Sequence, residues 1–135
     1  MWHETPIDIR YADTDQMGVV HHATYPIYCE IGRTHLMASK GLPYHQLESS
    51  GIFLMVVEMT CRYRAPCRYG DHVSVLTRIA ELKRKLLSFE YQIIHHQSKA
   101  ILFTGSTKHL FSQGTRSAIR CPDSYWEILS KIHSS

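Results

Sequence analysis

TYPIYCEIGRTHLMAS, residues 24–39, decides how the rest of the chain is read. Tyr25, Tyr28, Cys29, Gly32 and Leu36 recur at i, i+3, i+4, i+7 and i+11, one apolar stripe of an α-helix. Thr24 suits the N-cap and Pro26 the first turn. Gly41 and Pro43 stop the pattern. Gly32 costs about 1 kcal/mol of helix propensity relative to alanine, so its place inside the buried stripe predicts a close approach to a sheet.

Outward from this helix the period changes. His3 to Arg10 reads as a short strand, with Ile7 and Ile9 alternating against polar neighbours. Ile52 to Arg64 is rich in apolar and β-branched residues. Pro66 and Gly70-Asp71 punctuate the connection to the next strand. Val73, Val75, Thr77 and Ile79 alternate within His72–Ala80, and Leu87, Phe89, Tyr91 and Ile93 repeat the pattern. After a turn at His96–Lys99 a last strand runs from Ala100 to Phe111. Ser124 and Glu127 have the spacing of a capping box, opening a short helix through Ile132. The order is strand, long helix, four strands in meander, short helix. It predicts an α+β domain of about five antiparallel strands wrapped around one helix, with a sheet edge left for a partner.

The chain has 135 residues, 44% hydrophobic and 20% charged. That bounds it to one domain over residues 1–135 with material for one core. It has no apolar run long enough to span a bilayer. The MWHETPIDIR start lacks the pattern of a secretory signal, so the expected location is the cytoplasm. Cys29, Cys61, Cys67 and Cys121 include no C-x-x-C pair and read as reduced. A net charge of +3 suits an anionic ligand and is too small to argue for nucleic acid.

Chemistry concentrates in YADTDQMGVVHHATY, residues 11–25. Carboxylates and imidazoles stand here beside a helix N-terminus, whose open backbone N–H groups and partial positive charge hold an oxyanion. Asp13, Asp15, His21 and His22 stand where a base, nucleophile or orienting group would act, although a loop aspartate such as Asp15, taken alone, is more often one that caps the helix or binds a backbone N–H. Asp13 reads as the structural carboxylate and His21 as a solvent-exposed neighbour. A metal reading would use Asp13, Asp15, His21 and His22, but sequential neighbours rarely converge on one ion, so no metal and no cofactor is expected. His95-His96 reads as exposed hairpin sequence. There is no G-x-S-x-G elbow and no glycine-rich phosphate loop.

This segment resembles the 4-hydroxybenzoyl-CoA thioesterase family of hot-dog proteins, closest to the branch associated with the Tol-Pal cell-envelope system. The family pattern, approximately Y-x-D-T-D-x-x-G-V-V-x-H-x-x-Y, is present at each fixed position. The similarity continues through Glu30-x-x-Arg33-Thr34, Arg62-Tyr-x-Ala65-Pro66 and Asp71. It implies a hot-dog fold, an acyl-CoA or related thioester substrate, no metal, and homodimers or homotetramers with sites at subunit interfaces. It carries functional roles onto Tyr11, Asp15 and His22. The backbone N–H groups of Thr24 and Tyr25 become the expected oxyanion donors. Lys83-Arg84-Lys85-Leu86 departs from the glycine and small hydroxyl residue of many relatives, and Arg84 is the candidate for a CoA contact there. Within Phe53–Val57, either an acyl pocket or plain sheet core, Met55, Val56 and Val57 are the candidates for acyl contact.

The function expected is thioester hydrolysis at Asp15. The alternatives are hydratase chemistry, whose usual H-F-P-G-type segment is absent, and non-hydrolytic acyl-CoA binding, whose sensors carry a DNA-binding module this length does not accommodate. Glu30 is the rival carboxylate, but its i, i+3 spacing to Arg33 is that of a structural ion pair.

Overall fold

The computed structural model describes residues 1–114 and 117–135. Strand β1 (His3–Ile7) leads through an irregular segment into helix α1 (Tyr25–Ser39). A short helix α2 (Tyr44–Ser49) precedes β2 (Ile52–Tyr63), β3 (Val73–Lys83), β4 (Leu86–His95) and β5 (Ile101–Gln113). A two-residue strand β6 (Ser117–Ala118) and helix α3 (Asp123–Ser134) complete the chain. The main sheet is antiparallel in the order β1-β3-β4-β5-β2, with β6 added on β5. It is the α+β hot-dog architecture.

Three features depart from the sequence reading. The four strands are not a meander, because β2 lies at the far edge, paired with β5 from Ile52↔Gln113 to Tyr63↔Phe103. The outer edge of β3 is already taken by β1, in register from His3↔Thr77 to Ile7↔Val73. The capping box at Ser124 is also not formed. The N-cap of helix α3 lies two residues earlier, at Pro122, and Ser124 lies inside its first turn. Helix α2 has no counterpart among the elements expected from sequence. It is six residues long and buries a single side chain, Leu47, so it lacks a periodic stripe to read.

Helix α1 ends at Ser39 as its sequence predicts, with Gly41 at φ 86° and the Leu42 amide closing back onto the Met37 carbonyl at 2.9 Å. Its buried face is Tyr25, Tyr28, Cys29, Gly32, Arg33, Leu36 and Met37. This face packs on β1 and β3. Gly32 is where the contact is tightest. A Cβ there would stand 2.5 Å from Thr77 Oγ1 and 2.9 Å from Val75 Cγ1, so the missing side chain lets helix and sheet close up.

A polar string crosses this otherwise apolar core. Arg33 Nη1 donates to Tyr91 Oη at 3.4 Å, Tyr91 Oη and Thr107 Oγ1 are 2.6 Å apart, and His109 Nε2 meets the same Thr107 oxygen at 2.8 Å. His109 has no solvent exposure. Burial, and next the Arg33 charge, push its pKa down from 6.5 to about 4.

Two outcomes are expected from this packing. Gly32→Ala should lower stability by about 1–3 kcal/mol, the usual cost of overpacking, although alanine is the better helix former. Urea unfolding checks this, and a more stable variant would refute the close contact. For His109, the folded protein keeps a neutral ring while the unfolded chain binds a proton below about pH 6.5. Its contribution is therefore complete above that pH and is lost as pH falls toward 4, at about 1.4 kcal/mol per unit. His109→Gln should flatten this leg of the stability–pH curve, measured by chemical unfolding between pH 4 and 7.

Candidate active site

The residues from Arg10 to Tyr25 are held by one buried carboxylate. Asp13 accepts from the Arg10 guanidinium at 2.8 and 3.1 Å, from the Arg10 backbone N–H at 3.0 Å and from the Tyr28 hydroxyl at 2.9 Å. Its carbonyl accepts from the His21 N–H at 2.8 Å and from the Thr24 hydroxyl at 3.4 Å. Burial alone would raise the Asp13 pKa, but the hydrogen bonds from Arg10 and Tyr28 outweigh it and hold the carboxyl below its ordinary value. Asp13 thus has the structural role its position suggested.

Two positions on, Asp15 opens a tight loop. Its Oδ1 accepts from the Met17 N–H at 2.8 Å and the Val19 N–H at 3.4 Å, and its own N–H donates to the Val19 carbonyl at 2.8 Å. Gly18 turns the chain at φ 79°, a left-handed angle natural to glycine. The Val20 N–H then donates to the Cys67 carbonyl at 2.8 Å, and Val19 bridges to Arg68. The loop is therefore pinned to the segment after β2. Among the described residues Oδ2 of Asp15 receives no hydrogen bond. One carboxylate oxygen is fixed by the backbone and the other faces no donor among the described residues.

Asp15 lines a cleft of about 380 Å³ with Val19, Val20, His22, Tyr25, Tyr63, Arg64, Ala65 and Pro66. The His22 ring stacks on His21 at 4.3 Å and meets Tyr63 edge-on at 6.5 Å, while the Tyr63 hydroxyl donates to the His22 carbonyl at 3.0 Å. Tyr25, Tyr63 and Phe103 cluster with centroids 5.1–5.5 Å apart, the two tyrosines lining the cleft. Asp15, His22 and Tyr25 are thus brought together, as residues 11–25 suggested. The cleft's other wall, Tyr63–Pro66, was not assigned to the site from sequence. Its signal was the second part of the resemblance, Arg62-Tyr-x-Ala65-Pro66.

Other candidates stand elsewhere. Thr24 holds the N-cap position of α1, as expected, but its side chain makes no cap hydrogen bond, and the 3-10 turn over His22–Thr24 that runs into the helix gives it helical angles. Its N–H donates to the His21 carbonyl at 2.9 Å, which leaves Tyr25, first residue of α1, as the remaining amide candidate. Tyr11 is 78% exposed and packs edge-on against Tyr69, outside the cleft. Met55, Val56 and Val57 lie on β2 away from the cleft lining, the two valines about half exposed. Arg84 is engaged at the β3–β4 turn. It donates to Asp123 Oδ1 at 2.9 Å and to the Cys121 carbonyl at 3.2 Å, and its guanidinium lies 4.2 Å over the Trp126 ring. Glu30 is exposed, pairs with Arg33 at 3.8 Å and does not line the cleft. Among the described residues no three His, Cys, Asp or Glu side chains gather as a metal site would need, and no helix is long and apolar enough to cross a membrane.

The model of the thioesterase-like superfamily matches residues 9–129. YneP of Bacillus subtilis, provisionally named an acyl-CoA thioesterase, is 38% identical over 87 residues, which are 64% of this chain and 63% of that protein. Among solved structures, the hypothetical protein TT1821 from Thermus thermophilus superposes with a TM-score of 0.94 at 42% identity, covering 98% of both chains. A DHNA-CoA thioesterase from Staphylococcus aureus gives a TM-score of 0.91 at 28% identity over 98% of this chain and 91% of that one.

Proposed function

The chain belongs to the thioesterase-like superfamily, and from that footing we propose that it is an acyl-CoA thioesterase with Asp15 at the reacting centre. The observation that carries this reading is the Asp15 carboxylate, fixed through one oxygen and open through the other, in a cleft at the start of α1. The proposed reaction cleaves the thioester C–S bond. Asp15 either removes a proton from water as the water attacks the carbonyl carbon, or attacks that carbon itself to give an anhydride that water then opens. Charge builds on the carbonyl oxygen, and the Tyr25 N–H at the positive end of the helix is its proposed donor. His22, across the same cleft, orients Asp15 or the substrate and delivers a proton to the leaving thiolate. Products are the free acid and CoA. The reaction is proposed to need no metal or cofactor and to run in the cytoplasm. The 11–25 motif supports placement in the Tol-Pal-associated branch of the 4-hydroxybenzoyl-CoA thioesterases.

We also propose a homodimer or homotetramer, built first through β2. This strand is 12 residues long and, among the described residues, paired on one side alone. Val56, Val57 and Tyr63 on it are about half exposed, as are Ile27 and Ile31 one turn apart on α1. A strand with one open edge suits a second copy related by a two-fold axis.

A panel of acyl-CoA thioesters, assayed with EDTA present, tests the activity. Asp15→Asn keeps the shape and removes the charge, and should lower kcat at least about 100-fold, whereas Glu30→Gln should cost far less. The reverse ranking, in folded variants of unchanged assembly, would move the chemistry onto α1. Light scattering should find an oligomer at assay concentration, and Val57→Glu should weaken it by placing a charge on the joining edge. A monomer with full activity would sink the interface.

A further inference from the structure

The turn that carries His22 into the cleft is closed by the residue before it. His21 is the N-cap of the 3-10 turn His22–Thr24, and its ring is the capping acceptor: the Ala23 N–H donates to His21 Nδ1 at 3.1 Å. That place is usually taken by serine, threonine, aspartate or asparagine, whose capping oxygens do not titrate near neutral pH. The His21 carbonyl also accepts from the Thr24 N–H at 2.9 Å, and the His21 N–H donates to the Asp13 carbonyl at 2.8 Å. An exposed residue is thus tied to the turn on one side and to the buried Asp13 on the other. The family pattern leaves this position open, as the x between Val20 and His22, so the cap is a feature of this chain's own sequence.

His22 has little else to hold it. Among the described residues its ring nitrogens take part in no hydrogen bond. The Tyr63 hydroxyl fixes its carbonyl at 3.0 Å, and the Tyr63 ring meets its ring edge-on at 6.5 Å. The nearer ring is that of His21, stacked at 4.3 Å with 28° between the planes. The place of the His22 ring therefore follows from the turn. The backbone closes on His21 Nδ1, and the His22 ring lies against the ring that closes it.

We propose that His21 is a positioning residue for His22, holding it in place by capping its turn, and that it does so in its neutral form alone. This role rests on the thioesterase reading, in which His22 delivers a proton to the leaving thiolate, and adds to it what orients that ring. A donor on Ala23 demands a lone pair on Nδ1, so the proton of the neutral His21 ring sits on Nε2. A second proton takes the lone pair away. The Ala23 N–H then faces another N–H, the cap is lost, and a positive ring lies on the face of His22. The other titratable groups that meet the turn are His22 itself and Tyr63 from β2. Asp13 meets it through its carbonyl, while its carboxylate is held by Arg10 and Tyr28. Histidine is the side chain that changes charge between about pH 5 and 8, so acidification is what opens the turn.

Three variants assayed on one acyl-CoA separate the cap from the stack. His21→Asn supplies a capping oxygen that does not titrate, His21→Phe keeps a ring without an acceptor, and His21→Ala removes both. At pH 8, His21→Ala should lower kcat about fivefold, the factor that a lost side-chain cap of typical strength corresponds to. KM should stay unchanged, because His21 does not line the cleft. His21→Asn should recover most of the loss and His21→Phe little of it. The native kcat should fall as pH is lowered toward about 5, whereas His21→Asn should hold its value over that range. In NMR spectra of the native protein the His21 ring and the Ala23 amide should titrate together, with the proton on Nε2 at the alkaline end. Recovery by His21→Phe and not by His21→Asn would assign the effect to the stack, and a pH profile unchanged in His21→Asn would remove His21 from the acid limb; either overturns the proposal. Joint titration of His21 and the Ala23 amide, in a protein that turns over no thioester, would keep the capped turn and defeat the hydrolase reading. Hydrolysis undiminished in His21→Ala, with the Ala23 amide indifferent to pH in the native protein, would do the opposite.

Discussion

Asp13 contributes nothing to the cleft lining, yet the cleft depends on it. Its carboxylate joins the segment after β1, through Arg10, to the first turns of α1, through Tyr28, and its carbonyl joins both to His21 and Thr24. A carboxylate this buried costs several kcal/mol unless it is paired and hydrogen-bonded, and here each demand is met by a residue that must be in place for the loop to close. The loop carrying Asp15 is therefore specified from both ends. The reaction proposed at Asp15 relies on such preorganisation, since a small displacement of a reacting group is expensive. The two aspartates divide the work: one is saturated with donors, the other keeps an oxygen free.

The helix was legible because its signal is local. Five buried positions at helical spacing, a glycine in the stripe and a glycine–proline stop are all contained in residues 25–43, and the glycine is explained by Thr77 and Val75 lying against its Cα. The strands were legible as strands for the same reason. Their order was not. The placement of β2 is settled by competition for the edge of β3, which β1 wins, and nothing within Ile52–Tyr63 records that outcome. Helix caps also escaped. Ser124 has the right spacing to Glu127, but Pro122 starts the helix sooner.

At the site, the same division holds. Asp15 and His22 share a loop, so proximity in sequence becomes proximity in space, and residues 11–25 could be read as one unit. Tyr63–Pro66 reaches the cleft by tertiary packing through Cys67 and Arg68, which no spacing rule reveals. Arg84 looked available as a basic residue at a hairpin turn. Its capture by Asp123 and Trp126 depends on where α3 docks, a long-range fact.

The edge position of β2 also dictates the order in which the chain acquires structure. Its partner β5 lies 40 to 61 positions further on, from Tyr63 opposite Phe103 to Ile52 opposite Gln113, so the pairing closes a long loop and belongs to the slow, non-local class of contacts. A chain emerging from the ribosome has β2 exposed, apolar and without a neighbour throughout the synthesis of β3 and β4. Glu58, Arg62 and Arg64 punctuate that segment with charge, the kind of residues that keep an unpaired strand from joining another chain too early.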